Sequence, residues 1–337
     1  MTQDSTRLPD AQCARRTVLR TAAVAGGVYG GVGVASATTS RGSDAKGFPP
    51  DGITRYGESV DLGDGEVRLF TTETPSGKPR YHGVEFDRSA LEGLPDSAAL
   101  EGSGEERYTD KYGPDGEALE IHNKWSLEFF VSFPSAANTP FTFLGLNWNP
   151  EGHPGGGGAW SKPHFDIHFH MLDAGVVDEI EGPELPPYDE ITGRDDGGVP
   201  TQIGSELEAD QIPEGYVRSP PAEAEERYIT DMGEHLAPAD APELPGAPEK
   251  FSNTLIQGFV GLDDNGADPN AGENPQLAFL EPMITREFLE GFSGTESYDI
   301  SQPKAYPHDQ RHPTTYSVRD VPAADAIVVV LQDFEET

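Results

Sequence analysis

The stretch from Pro163 to Met171, Pro-His-Phe-Asp-Ile-His-Phe-His-Met, alternates apolar and polar residues without a break. Successive side chains of a β-strand point to opposite faces, so a period of two is a strand signature and not a helical one. It assigns His164, Asp166, His168 and His170 to one face and Phe165, Ile167, Phe169 and Met171 to the other. The aromatic face is expected to pack into a core, which makes this strand part of a larger layered sheet.

The rest of the chain carries the same kind of signal. Short alternating or apolar runs rich in β-branched and aromatic residues fall at 67–72, 81–86, 126–133, 142–146, 253–262, 276–282, 315–318 and 326–333. Asp64-Gly65, Ser76-Gly77 and scattered prolines punctuate them as turns. Helical spacing occurs only briefly, at 89–94 behind Ser89 and at 285–291 ahead of a glycine. With 39 Gly, 30 Pro and 35% hydrophobic residues, a helical bundle or coiled coil is disfavoured. The expected fold is mainly β: an antiparallel barrel or sandwich with one or two short helices and long acidic, Pro-rich loops. Residues 53–337 read as a single β-rich domain, with a polar loop insertion at about 181–226.

The net charge of −36 has two readings. Low hydrophobicity with high charge is a mark of disorder, but 16 Phe, 11 Tyr and 3 Trp in discrete blocks speak for a core. The favoured reading is a halophilic fold whose acidic surface stays hydrated in concentrated salt and loses structure on desalting, as its charges repel over a longer Debye length. The same field repels phosphate backbones, so no nucleic-acid partner is expected.

Residues 1–37 read as a twin-arginine signal peptide. Arg15-Arg16 precede a mildly apolar, glycine-containing run that ends at Ala35-Ser36-Ala37, a small-x-small cleavage pattern. Residues 38–52 follow as a Ser/Thr/Gly/Pro linker, and no later run is long enough to span a membrane. Export to the cell exterior is therefore expected. The single cysteine, Cys13, precedes the arginine pair, which leaves the mature chain without thiols and excludes disulfides and thiolate metal sites.

All nine histidines lie beyond residue 37, and three of them sit on the alternating strand. Residues two apart on one face stand about 7 Å from each other, close enough for two imidazoles to share an ion, whereas residues four apart stand about 13 Å from each other. One strand thus supplies two ligands easily, and a third must come from elsewhere: His153, His235 or Glu281. The metal candidates are His153, His164, His168, His170 and His235, converging around one point. Asp166 and Glu281 are candidates to orient a metal-activated water. Imidazole with carboxylate suits Zn²⁺ or another divalent first-row ion. Two functions stay open: a metal-dependent hydrolase or lyase, or a non-catalytic binding or envelope-stress protein whose histidines form a hydrogen-bond network. The expected partner is a metal or small-molecule ligand, with a homo-oligomer left open. Gly155–Gly158 lacks the Lys-Ser/Thr of a phosphate loop and reads as a hairpin tip; the oxygen-rich stretch 263–270 lacks calcium-loop spacing and reads as a solvated turn.

Several blocks together carry a resemblance: Gly83-Val84-Glu85-Phe86 with Ala90 to Pro95, Leu146 to Pro154 with Pro163 to Phe169, Met232-Gly233-Glu234-His235, and Glu281 to Arg286. In these the chain resembles a family of secreted, uncharacterised bacterial and archaeal β-rich proteins, whose founding structural member is a Thermus protein controlled by an extracytoplasmic-function sigma factor. The resemblance spans about residues 55–335. It implies a mostly β domain and no established activity. It matches His153, His164, Asp166, His168, His235 and Glu281, but the family usually has an aromatic where this chain has His170, which lowers that residue as a ligand. At motif level the His-x-His strand also resembles the zinc strand of α-type carbonic anhydrases.

Overall fold

Two antiparallel sheets face each other across a core of interdigitated aromatic and branched side chains. This is a computed structural model, and it describes residues 47–103, 106–121, 124–136, 138–153, 155–180, 207–218, 228–306 and 309–336. The expected signal peptide, nearly all of the linker, most of the polar insertion at 181–226, His122 and His308 lie outside the described residues.

In chain order the strands are β1 (Thr54–Leu62), β2 (Gly65–Glu73), β3 (Pro79–Asp87), β4 (Thr109–Asp110), β5 (Gly116–Ile121), β6 (Lys124–Ser132), β7 (Phe143–Asn149) and β8 (His164–His170). They continue as β9 (Tyr216–Val217), β10 (Tyr228–Ile229), β11 (Gly233–Pro238), β12 (Asn253–Gly261), β13 (Pro275–Thr285), β14 (Thr295–Asp299), β15 (Arg311–Val321) and β16 (Ala326–Glu336). The smaller sheet runs β1-β2-β3-β16-β15-β14; the larger runs β10-β11-β12-β13-β8-β7-β6-β5-β4, with β9 paired to β11. Neither sheet closes on itself, so of the two expected architectures the sandwich is the one adopted.

The alternation of β8 explains the layering. Phe165, Ile167 and Phe169 face inward and are fully buried with Val84, Phe86, Ile327 and Val329 of the smaller sheet. Phe86 and Phe165 meet across the gap with ring centroids 5.5 Å apart. Burying each such side chain contributes about 1.5–3 kcal/mol against the cost of ordering it.

The outer face of the larger sheet is also covered. Val177 at the end of the short helix Ala174–Val177 and Ile180 just after it, then Tyr228, Met232 and Phe251, pack on Phe130, Phe143, Ile256, Val260, Phe279 and Met283. This cover seals the polar face of β8: His164, Asp166, His168 and His170 are all nearly inaccessible to water.

One local expectation differs from the structure, and another is met. The helix expected over 89–94 is a single 3₁₀ turn, Arg88–Leu91, because Glu92 and the residues after it return to extended or turn backbone. A further helix, Ser97–Ser103, lies just beyond it, with Leu100 buried. The helix expected over 285–291 runs Arg286–Gly291, capped by the Thr285 side chain accepting from the Phe288 N–H.

Candidate metal centre

Strand register brings the polar groups into rows on the outer face. Met283 pairs with Asp166 and Phe279 with His170 across β13 and β8. Glu281 falls between these pairs and projects to the same side, opposite His168. The ladder skips Glu281 and Pro282, and a proline has no N–H to contribute there. On the other side, Gly145 pairs with His168 and Asn147 with Asp166. His235 arrives from β11, where it pairs with Gly258 of β12. A Cβ on Gly258 would run into the Phe279 ring. Glycine at this position therefore lets that ring lie between the strands, 5.0 Å from the His235 ring and 4.8 Å from that of His168.

The side chains sort into two groups of three, each of two imidazoles and one carboxylate: His153, His164 and Asp166, and His168, His235 and Glu281. Within each group the candidate ligand atoms lie within 4.8 Å of one another. The imidazoles straddle the carboxylates. Asp166 Oδ1 is 3.0 Å from His164 Nε2 and Oδ2 is 3.4 Å from His153 Nε2. Glu281 Oε1 is 3.5 Å from His168 Nε2 and Oε2 is 3.4 Å from His235 Nε2. Ligands about 2.1 Å from a tetrahedral ion stand about 3.4 Å from each other, so these edges have the length that such an ion requires.

Tautomers reinforce the geometry. His164 Nδ1 donates to the Lys162 carbonyl at 2.6 Å, and His235 Nδ1 to the Gly233 carbonyl at 3.2 Å. In the neutral rings both Nε2 atoms are then lone pairs aimed at carboxylate oxygens, the arrangement second-shell carbonyls impose on metal-binding histidines. Among the described residues, His164 Nε2, Asp166 Oδ1, His168 Nε2 and Glu281 Oε2 are buried without a hydrogen-bond partner. His164 Nε2 thus faces Asp166 Oδ1 at 3.0 Å without hydrogen-bond alignment, two lone-pair atoms whose mutual repulsion a cation would relieve. Buried polar atoms left unmatched cost about 1–3 kcal/mol each, and four in one place is a concentration that a bound cation relieves.

Burial lowers His168 to about 4, partly offset by the charge of Asp166 and a backbone hydrogen bond to Gly145. Burial and then the neighbouring His168 take His235 to about 3. Neutral imidazole is the form that binds metal. Burial alone would raise Asp166, but His164 and His153 outweigh it and hold this carboxyl well below its ordinary range. Glu281 is pushed well above its ordinary range by burial, then by the charge of Asp166 and a hydrogen bond with it.

His153, His168 and His235, expected to meet around one point, divide instead between the two groups. The cause is strand geometry: His164 and His168 are four residues apart on β8 and serve different partners. Asp166 and Glu281, expected to act on a metal-bound water, are placed among the candidate ligands themselves. His170 belongs to neither group. Its ring stacks on Phe143 at 4.4 Å and lies 5.3 Å from Phe279, in an aromatic setting away from both groups of ligand atoms. Burial keeps His170 well below the ordinary histidine range.

Sequence reasoning missed Asn149, whose Nδ2 donates to Asp166 Oδ2 at 2.8 Å. Its signal was available in the alternation of Asn147 and Asn149 around the inward-facing Trp148. A cleft of about 20 Å³, room for a water molecule, is lined by Lys124, Asn149, His153, Asp166, Ile229, Met232 and His235 and so reaches both groups. The stretch 263–270 is an exposed turn, with Asp263 Oδ1 accepting from the Ala267 and Asp268 N–H groups.

Fold and site together define an antiparallel β-sandwich with paired His/His/carboxylate groups buried on the outer face of its larger sheet. No family model matches the chain, and neither a curated protein nor a solved structure is found to be similar to it.

Proposed function

We propose that this chain is an exported, salt-adapted β-sandwich protein that binds a divalent first-row metal, Zn²⁺ foremost, and uses it to hydrolyse a small substrate. The observation that carries the reading is the set of four buried, unmatched donor atoms on His164, Asp166, His168 and Glu281. Two imidazoles with one carboxylate is a donor set of catalytic zinc sites, which keep a position open. A metal held there would acidify a bound water toward neutrality. The residues do the rest. His164 and His235 are oriented through their Nδ1 bonds to backbone carbonyls, Asn149 holds Asp166, and the partly exposed His153 and His235, each with 17% of the side chain accessible, face the cleft. The twin-arginine segment and the acidic composition support export and salt adaptation, and the motif resemblance supports a secreted β family.

The narrowness of the cleft favours a second reading, a metal-binding protein without catalysis. Protein purified in concentrated salt without a His-tag separates the readings. Metal content, followed by assay against small esters and phosphoesters, is expected to give bound metal and a hydrolysis that chelator and His168→Ala both abolish. Bound metal without hydrolysis leaves the binding role. Absence of metal, with a fold indifferent to chelator, removes both.

A further inference from the structure

We propose that the two groups form one two-metal centre, coupled through Asp166 and Glu281; this rests on the metal-binding reading above and extends it from one ion to two. The two carboxylates are neighbours. They lie on adjacent strands β8 and β13, with Asp166 paired to Met283, two residues from Glu281 on the same face of the sheet. Each carboxylate also turns its two oxygens to its own pair of imidazoles, at 3.0 and 3.4 Å for Asp166 and at 3.5 and 3.4 Å for Glu281. The groups therefore lie side by side on the outer face of the larger sheet.

The two halves are alike in composition and in access. Each holds two nearly inaccessible members and one partly exposed histidine, His153 in one and His235 in the other. A single cleft touches His153, Asp166 and His235, so an ion entering by it meets both halves. Charge argues the same way. Two neighbouring carboxyl groups in a dry interior cannot both ionise unless cations lie beside them, and four imidazoles supply neutral donors for two divalent ions. Two-metal hydrolases hold their ions about 3.5–4 Å apart, a spacing that carboxylates on neighbouring strands are suited to bridge.

Loading with Mn²⁺ tests the arrangement. The full chain, tag-free and stripped with chelator in molar salt, is titrated with Mn²⁺ alone, counted by elemental analysis after desalting into the same salt, and examined by electron paramagnetic resonance. Molar salt screens the acidic surface, whose Debye length falls to about 3 Å. The expected result is two ions per chain with a spin-coupled spectrum. His153→Ala and His235→Ala, both partly exposed positions, should each retain one ion, lose the coupling and weaken the remaining ion at least about tenfold. Circular dichroism in the same salt confirms their folding. Two ions with uncoupled spectra, or single variants that leave the other ion's affinity unchanged, would overturn the two-metal centre. One ion per chain would overturn it while leaving the metal-binding reading intact, and no ion would overturn both.

Discussion

Replacing Glu281 with glutamine separates a metal ligand from a structural hydrogen-bonding group. Glu281 is buried, 3.5 Å from His168 Nε2 and 3.4 Å from His235 Nε2, and is held toward its protonated form by burial and by Asp166. Glutamine is nearly the same shape as a protonated glutamate, so in chelator the variant should differ from wild type by less than about 1 kcal/mol. With metal present the balance changes. At a free metal concentration of 100 times Kd, binding stabilises the wild type by about 2.7 kcal/mol. Losing the charged ligand is expected to weaken binding at least about a hundredfold, which leaves the variant no more than about 0.4 kcal/mol under the same conditions. The difference of about 2 kcal/mol corresponds, for a domain of this size, to a Tm gap of roughly 3–4 °C. Thermal unfolding followed by circular dichroism in molar salt, with Zn²⁺ and then with chelator, reads it directly. The gap should open with metal and close with chelator. An equal gap in both conditions, or a wild type whose Tm ignores Zn²⁺, would refute the reasoning.

Other expectations lie outside the centre. His82 is buried; Thr71 donates to the Pro134 carbonyl and so accepts from His82 Nδ1, which leaves Nε2 to accept from Thr139, and burial, with Arg55 adding to it, lowers the ring to about 3. The unfolded chain takes up this proton more readily, so the contribution is full above about pH 6.5 and is lost as pH falls, by about 1.4 kcal/mol per unit. Between pH 7 and pH 5, denaturant unfolding should show wild type losing about 2 kcal/mol more than His82→Gln, the other buried histidines contributing equally to both. Lys111 Nζ lies 2.5 Å from Asp231, 2.8 Å from Asp178 and 3.5 Å from the buried Glu128, so Lys111→Met should destabilise by about 3–5 kcal/mol in the same assay. Gly258→Ala should displace Phe279 and lower the Tm by several degrees while weakening metal binding, measured by calorimetric titration. Dilution from molar salt to about 0.1 M lengthens the Debye length from about 3 to 10 Å and should unfold the chain, seen as loss of its β-sheet circular dichroism signal.

How much of this was legible beforehand follows from the range of each signal. Period-two alternation in Phe165, Ile167 and Phe169 is a local property, and it foretold β8, its inward face and the polar row opposite. Thr285 and Gly291 bounded a short helix for similar local reasons. The partition of the histidines was harder, because it depends on pairing. Glu281 meets His168 through the register of β13 on β8, and His235 reaches Glu281 beside a Phe279 ring that the lack of a side chain at Gly258 admits. Neither relation leaves a mark in the spacing of residues along the chain. The burial of the polar face was hidden for the same reason: its cover comes from Val177, Ile180, Tyr228, Met232 and Phe251, the last of them 81 positions downstream of the strand's end at His170. The Lys111 cluster joins residues from three distant stretches and has no local signature either.

A crystal of the Zn²⁺-loaded protein, grown from concentrated salt and measured on both sides of the zinc absorption edge, tests the central claim most directly. The account expects anomalous density within bonding distance of His168 Nε2, His235 Nε2 and the Glu281 carboxylate. Crystals that contain zinc but show their anomalous peaks only on the acidic surface, with these side chains left unliganded, would contradict it.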